Sequence, residues 1–143
     1  MSRLISAALS VAFGVTAPAF ANSAELSVVI SGINSEEGAL ICRLFTVDSK
    51  FPREGELNSV TSEVSEGTSS CTFKNLSTGQ YAIAVAHDAN GNGILDQNFI
   101  GLPTEGFGFS GNARIRFGPP SFSKAAITVS DAKTVLKLRM QYR

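Results

Sequence analysis

Residues 81–87, Tyr81-Ala82-Ile83-Ala84-Val85-Ala86-His87, alternate without a break: Tyr, Ile, Val and His fall on one side of an extended chain and three alanines on the other. A period of two belongs to a β-strand with unlike faces, because successive side chains point to opposite sides of the pleat. The large face needs a core to cover it. The alanine face lets a neighbouring sheet or loop lie close. Outward from this stretch the same period recurs. Leu26, Val28 and Ile30 alternate with Ser27 and Ser31, and the apolar run Ala39–Phe45 follows a turn at Glu36-Glu37-Gly38. Cys71-Thr72-Phe73 runs into the turn signal Asn75-Leu76-Ser77-Thr78-Gly79. Further strands are predicted at Ala113–Phe117, Phe122–Val129 and Val135–Gln141, the last two joined at Ser130-Asp131. Residues 48–68, rich in Ser, Glu and Gly, read as a long connection with room for a helical turn or a weak strand, and 88–112 reads as loop. About seven short strands without a long amphipathic helix predict an all-β fold, a single antiparallel β-sandwich whose alternate residues share one core.

The first 21 residues carry the three parts of a cleavable export signal: Arg3, an apolar run from Leu4 to about Ala17, and Ala19-Phe20-Ala21 ahead of a predicted cleavage before Asn22. The run is shorter than the roughly 20 residues that span a bilayer as a helix, so no membrane insertion is expected. With no cysteine at the cleavage position, no lipid anchor is expected either. A single domain over 22–143, periplasmic or secreted from a bacterium, follows. Cys42 and Cys71 both lie in that domain, and two cysteines in an exported chain imply one disulfide. Two buried thiols or a metal pair are the alternatives, the latter weakened by there being one histidine in the chain. Residues 22–105 hold eleven acidic and four basic residues, whereas 106–143 hold one acidic and seven basic. Pairing of the C-terminal strands with acidic neighbours accounts for that split; a basic face for an anionic partner is the alternative. The near-zero total argues against nucleic acid.

The stretch Asp88-Ala89-Asn90-Gly91-Asn92-Gly93-Ile94-Leu95-Asp96 places side-chain oxygens at loop positions 1, 3, 5 and 9, glycine at 6, and the Ile94 carbonyl at 7. That is the spacing of an EF-hand-like calcium loop, in which alternation turns oxygens inward and glycine permits the sharp bend. Position 12, where a bidentate Glu is wanted, is Phe99. Glu105 is the acid placed to make up the deficit. With two amides among the ligands, a dissociation constant of about 10⁻⁴–10⁻³ M is expected for calcium. A turn held by its own Asx hydrogen bonds, with no ion, explains the same composition.

Leu76-Ser77-Thr78-Gly79-Gln80-Tyr81-Ala82-Ile83-Ala84-Val85 resembles the turn-into-strand signature of transthyretin-like and collagen-adhesin B-type sandwiches, which are immunoglobulin-like in architecture. The continuation from Tyr81 through His87-Asp88-Ala89-Asn90-Gly91-Asn92-Gly93-Ile94-Leu95-Asp96, then Gly101-Leu102-Pro103-Thr104-Glu105-Gly106-Phe107-Gly108-Phe109-Ser110, resembles the bacterial exported family of domain of unknown function 2141. That resemblance implies a small exported β-sandwich and supplies no substrate.

Three functional readings follow. In the first, the chain is a non-catalytic binding or interaction module for an envelope protein, peptide or glycan. Phe99, Phe107 and Phe109 then either fasten the long loop over one edge of the sandwich or form an exposed aromatic patch for that partner. The second is a structural envelope protein pairing through a sheet edge. The third is a transthyretin-like hydrolase of oxidised urate. Those enzymes set several basic and histidine residues in the site and end in Tyr-Arg-Gly-Ser. This sequence has His87 alone and closes on Tyr142-Arg143. No nucleophile motif accompanies His87, so it is expected to be a satisfied histidine at a strand end and the chain not to be an enzyme.

Overall fold

The computed structural model describes Gly14 and residues 23–115, 117–130 and 132–143. The expected signal segment 1–21 lies outside the described residues apart from Gly14, as do Arg116 and Asp131. No helix among the described residues is long and apolar enough to cross a membrane.

Two sheets face each other. Strand β1 (Ala24–Ser31) is flanked by β4 (Ser69–Leu76) and β8 (Lys133–Arg139). In the second sheet β2 (Ala39–Phe45) lies between β3 (Asn58–Ser62) and β5 (Gly79–Asp88). The far edge of β5 carries β6 (Phe107–Phe109) and, further along, β7 (Ile127–Val129). The all-β sandwich is therefore the fold, with eight strands among the described residues. Every pairing is antiparallel except one: β1 and β8 run parallel, with Glu25 opposite Lys133. A salt bridge of 3.7 Å joins those two side chains, a single instance of basic C-terminal residues pairing with acidic N-terminal ones among the described residues.

The inward residues are those that alternation selected. Leu26, Val28, Ile30, Cys71, Phe73 and Leu138 come from one sheet, and Leu40, Cys42, Leu44, Tyr81, Ile83 and Val85 from the other. Burying such side chains stabilises a fold by roughly 1.5–3 kcal/mol each before the entropy of ordering is subtracted. Cys42 on β2 and Cys71 on β4 are bonded across this core, so the disulfide ties one sheet to the other.

Several elements differ from the sequence expectation. Within the polar 48–68 stretch the weak strand forms, as β3, an edge strand whose side chains are largely exposed. The 88–112 loop ends in β6, followed by a 3-10 turn at Ser110–Asn112. Residues 113–115 and 117 form no strand; instead the Gln141 and Arg143 side chains donate to the carbonyls of Ala113 and Ile115. Phe122–Ala125 is one helical turn, α1, and not the start of a strand. A helical turn sets Phe122 and Ala125 on the same side. Ala125 is then buried, and Phe122 meets Phe51 edge to face at 6.3 Å. Phe51 also packs on Phe45 at 5.2 Å and Phe109 at 6.0 Å, forming a second apolar cluster on the outer side of the five-stranded sheet.

Candidate functional site

Asp88 closes β5 with its carboxylate almost fully buried. One oxygen accepts the Asn92 N–H at 3.0 Å and the other the Gly93 N–H at 2.7 Å, which draws the chain into a loop. Gly93 sits at φ +81°, a left-handed conformation that a residue with a Cβ adopts only under strain. Asn90 Oδ1 accepts the Asn92 N–H and Asn92 Oδ1 the Ile94 N–H, both at 3.1 Å, so two Asx turns follow each other. The amide groups of Asn90 and Asn92 both donate to the Asp96 carboxylate. Glu105 comes back across the loop: Oε1 accepts the Ala89 N–H at 3.1 Å and Oε2 the Asp96 N–H at 3.0 Å. Asp88, Asn90, Asn92, Asp96 and Glu105 therefore belong to one hydrogen-bonded hub, while the Ile94 side chain is exposed. No three His, Cys, Asp or Glu side chains among the described residues gather as a metal cluster, so a cation here would draw on amide and backbone oxygens as well.

Beyond the hub, residues 96–104 fold as a small hairpin. The Thr104 N–H donates to Asp96 O and the Asn98 N–H to Leu102 O. The Asn98 side chain caps the tip by accepting from Ile100 and Leu102 N–H. Phe99 rides on that tip, fully exposed, and fastens nothing. Phe107 and Phe109 behave otherwise: both are buried, in β6, and are not part of an exposed aromatic patch.

Their place completes the outer face of the sheet. Across the strands the register sets Arg43, Ala84 and Phe109 in one row and Ile41, Ala86 and Phe107 in the next. Directly opposed residues share a face. Two alanines between larger neighbours make a trough, and the trough is not filled. It opens into a cavity of about 770 Å³. Leu95, Ile100, Leu102 and Pro103 of the hairpin region wall one side, and Ile115 and Phe117 another. Arg43, Arg53 and Gln97 are the long polar side chains in the lining. Arg43 and this cleft were not selected by sequence reasoning. The available signal was a lone charge in the apolar strand Ala39–Phe45, in phase with Ile41 and Phe45 on the outer face.

A family model matches residues 28–137, from β1 into β8. The chain belongs to that family, described as "Uncharacterized protein conserved in bacteria (DUF2141)". No curated protein and no solved structure matches. The matched span of this DUF2141 domain contains both cysteines, the Asp88–Glu105 hub and the whole cleft lining.

Tyr142 lies just past the matched span and is tied to His87 inside it. Glu37 O, which can only accept, lies 2.9 Å from Nε2 of His87, so that nitrogen carries the proton. Nδ1 then accepts from the Tyr142 hydroxyl at 2.9 Å, and the phenol oxygen accepts the Asn34 N–H at 3.3 Å. Both nitrogens of this buried imidazole are engaged. Desolvation by burial raises the Tyr142 pKa above its ordinary 10.0, and the Asn34 N–H partly offsets the rise. A raised folded pKa means that the stability from the neutral phenol is fully present below the unfolded value, near pH 10, and is lost as pH rises through the folded one. Thermal melts between pH 9 and 12 are therefore expected to fall less steeply for Tyr142→Phe than for the native protein. Parallel curves would show that the half-buried phenol does not titrate with unfolding.

Proposed function

We propose that the domain is an exported, non-catalytic binding module whose loop 88–105 is a weak calcium site and forms one wall of a ligand cleft. The observation that carries this reading is the hub: Asp88, Asn90, Asn92 and Asp96 on nine residues of loop, with Glu105 bonded back to the Ala89 and Asp96 N–H groups. An oxygen that accepts one N–H keeps a second lone pair. Asp88, Asn90, Asn92 and Asp96 with the Ile94 carbonyl supply a hard cation with oxygens at the expected spacing, and Glu105 supplies the carboxylate that Phe99 cannot. Calcium would displace the amide hydrogens from Asp96, exchanging three neutral-donor hydrogen bonds for direct coordination. Engagement of both His87 nitrogens supports the non-catalytic part. Export is supported by the disulfide and the apolar segment 4–17.

Calorimetric titration of calcium into the chelator-treated protein tests this, with thermal melts alongside. At about 10 mM calcium and the expected affinity, binding to the native state adds roughly 1.5–3 kcal/mol, a rise of several degrees. Asp88→Ala combined with Asp96→Ala is expected to abolish both heat and shift. No heat and no shift up to that concentration would sink the metal reading and leave a loop held by its own turns.

A further inference from the structure

We infer that the alanine-floored cleft binds an amphiphile with an unbranched apolar chain and an anionic head, of the fatty-carboxylate class. The inference rests on the binding-module reading and deepens it. The cavity of about 770 Å³ lies within the range of small-molecule sites, roughly 300–1,000 Å³. Its floor is unusual for the outer side of an exported sheet. Ala84 and Ala86 offer no polar atom, Ile41 and Phe107 continue the apolar surface, and Leu95, Leu102 and Ile115 close over it. Such a trough suits methylene groups.

The charge in the lining is of one sign. Arg43 rises from the floor beside Ala84, and Arg53 enters from the 46–57 connection. Among the described residues neither guanidinium forms an ion pair; the two salt bridges there are Lys50–Glu54 and Lys133–Glu25. Among the described residues no acidic one lines the cleft. Two carboxylates are next in sequence to the lining: Asp96 is engaged by the amides of Asn90 and Asn92, and Glu54, beside Arg53, is paired with Lys50. A half-buried guanidinium beside an apolar trough matches a carboxylate bidentately while the chain covers the alanines. The exposed Phe117 and Ile100 stand at the margin of the cleft, where a chain leaving water would first meet the protein.

Calorimetric titration with dodecanoate and, separately, with dodecan-1-ol distinguishes head from tail. Dodecanoate is expected to bind saturably, one per chain and at least tenfold more tightly than the alcohol. Arg43→Gln is expected to weaken dodecanoate about tenfold or more and to leave the alcohol unchanged. Ala86→Leu, which fills the trough from an outward-facing position, is expected to remove binding of both without lowering the melting temperature. Equal affinities for acid and alcohol, or no effect of Arg43→Gln, would overturn the anionic head while keeping the cleft as the ligand site. No saturable binding of either probe, with the calcium response intact, would overturn the cleft and leave the metal loop standing.

Discussion

Melting the protein in the presence of a thiol reductant is expected to lower its midpoint by about 10–20 °C, the consequence of losing roughly 3–4 kcal/mol with the Cys42–Cys71 bond. The two cysteines are 29 residues apart, and the bond removes the loop-closure entropy of that segment from the unfolded chain. The segment contains all of β3 and both of its connections, the most polar part of the sandwich. Without the bond, β3 is held mainly through its antiparallel pairing with β2. Replacing both cysteines with alanine adds a second loss, because both belong to the buried core cluster and removing the sulfurs leaves space there. The double variant is therefore expected to melt below the reduced protein. Calcium and dodecanoate responses of the reduced protein at low temperature should match those of the oxidised one, since the bond lies on the inner face of the sheet and the cleft on the outer. An unchanged midpoint in reductant would mean that the unfolded chain is already compact across residues 42–71.

What could be read from the sequence was what is local. The 81–87 alternation predicts its strand because the period of side chains along one strand depends on nothing else, and every inward residue of β5 follows it. The hub was legible for the same reason: Asp88, Asn90, Asn92 and Gly93 interact within five positions, so spacing alone carries their geometry. Glu105 was reachable only as a response to a missing ligand. The parallel pairing of β1 with β8 left no trace in the sequence, because it joins residues more than a hundred positions apart through backbone groups that every residue has. β3 was weakly marked because an edge strand with exposed side chains lacks apolar alternation. Phe122-Ser123-Lys124-Ala125 sets its two apolar residues three apart, a helical spacing too short to stand out within the longer apolar run to Val129, and Phe51 and the outer face of the sheet favour the turn that brings Phe122 and Ala125 to one side. The cleft required three strands in register, and no single stretch contains it. Ser110, fully buried, belongs with these: its hydroxyl accepts the Ile83 N–H at 2.8 Å and donates to Ala125 O, joining β5 to α1 from a segment that reads only as Gly-rich loop.

Gly38→Ala is expected to lower stability by about 3 kcal/mol or more, and to weaken the calcium response with it. Gly38 holds φ +70° at the turn into β2, where a Cβ is itself unfavourable. The larger penalty is steric. A β-carbon there would run into Asp88 O and Ala89 Cα, backbone atoms at the start of the hub that no side-chain rotation can clear. Either the turn or the 88–89 backbone must move. If the latter moves, the Asp88 carboxylate leaves the Asn92 and Gly93 N–H groups, and the Glu105 bond to the Ala89 N–H is strained. If the turn moves, Glu37 O withdraws from His87 Nε2 and a buried ring nitrogen loses its partner. Gly55→Ala is the control. It has φ +81° but meets only ordinary contacts, the nearest being Ser49 Cβ at 3.5 Å. Its expected loss is about 1 kcal/mol, with calcium binding unchanged. Denaturant unfolding of the two variants separates backbone strain from collision. Equal losses would show that the turn and the hub slide past one another, and that Gly38 does not position the loop.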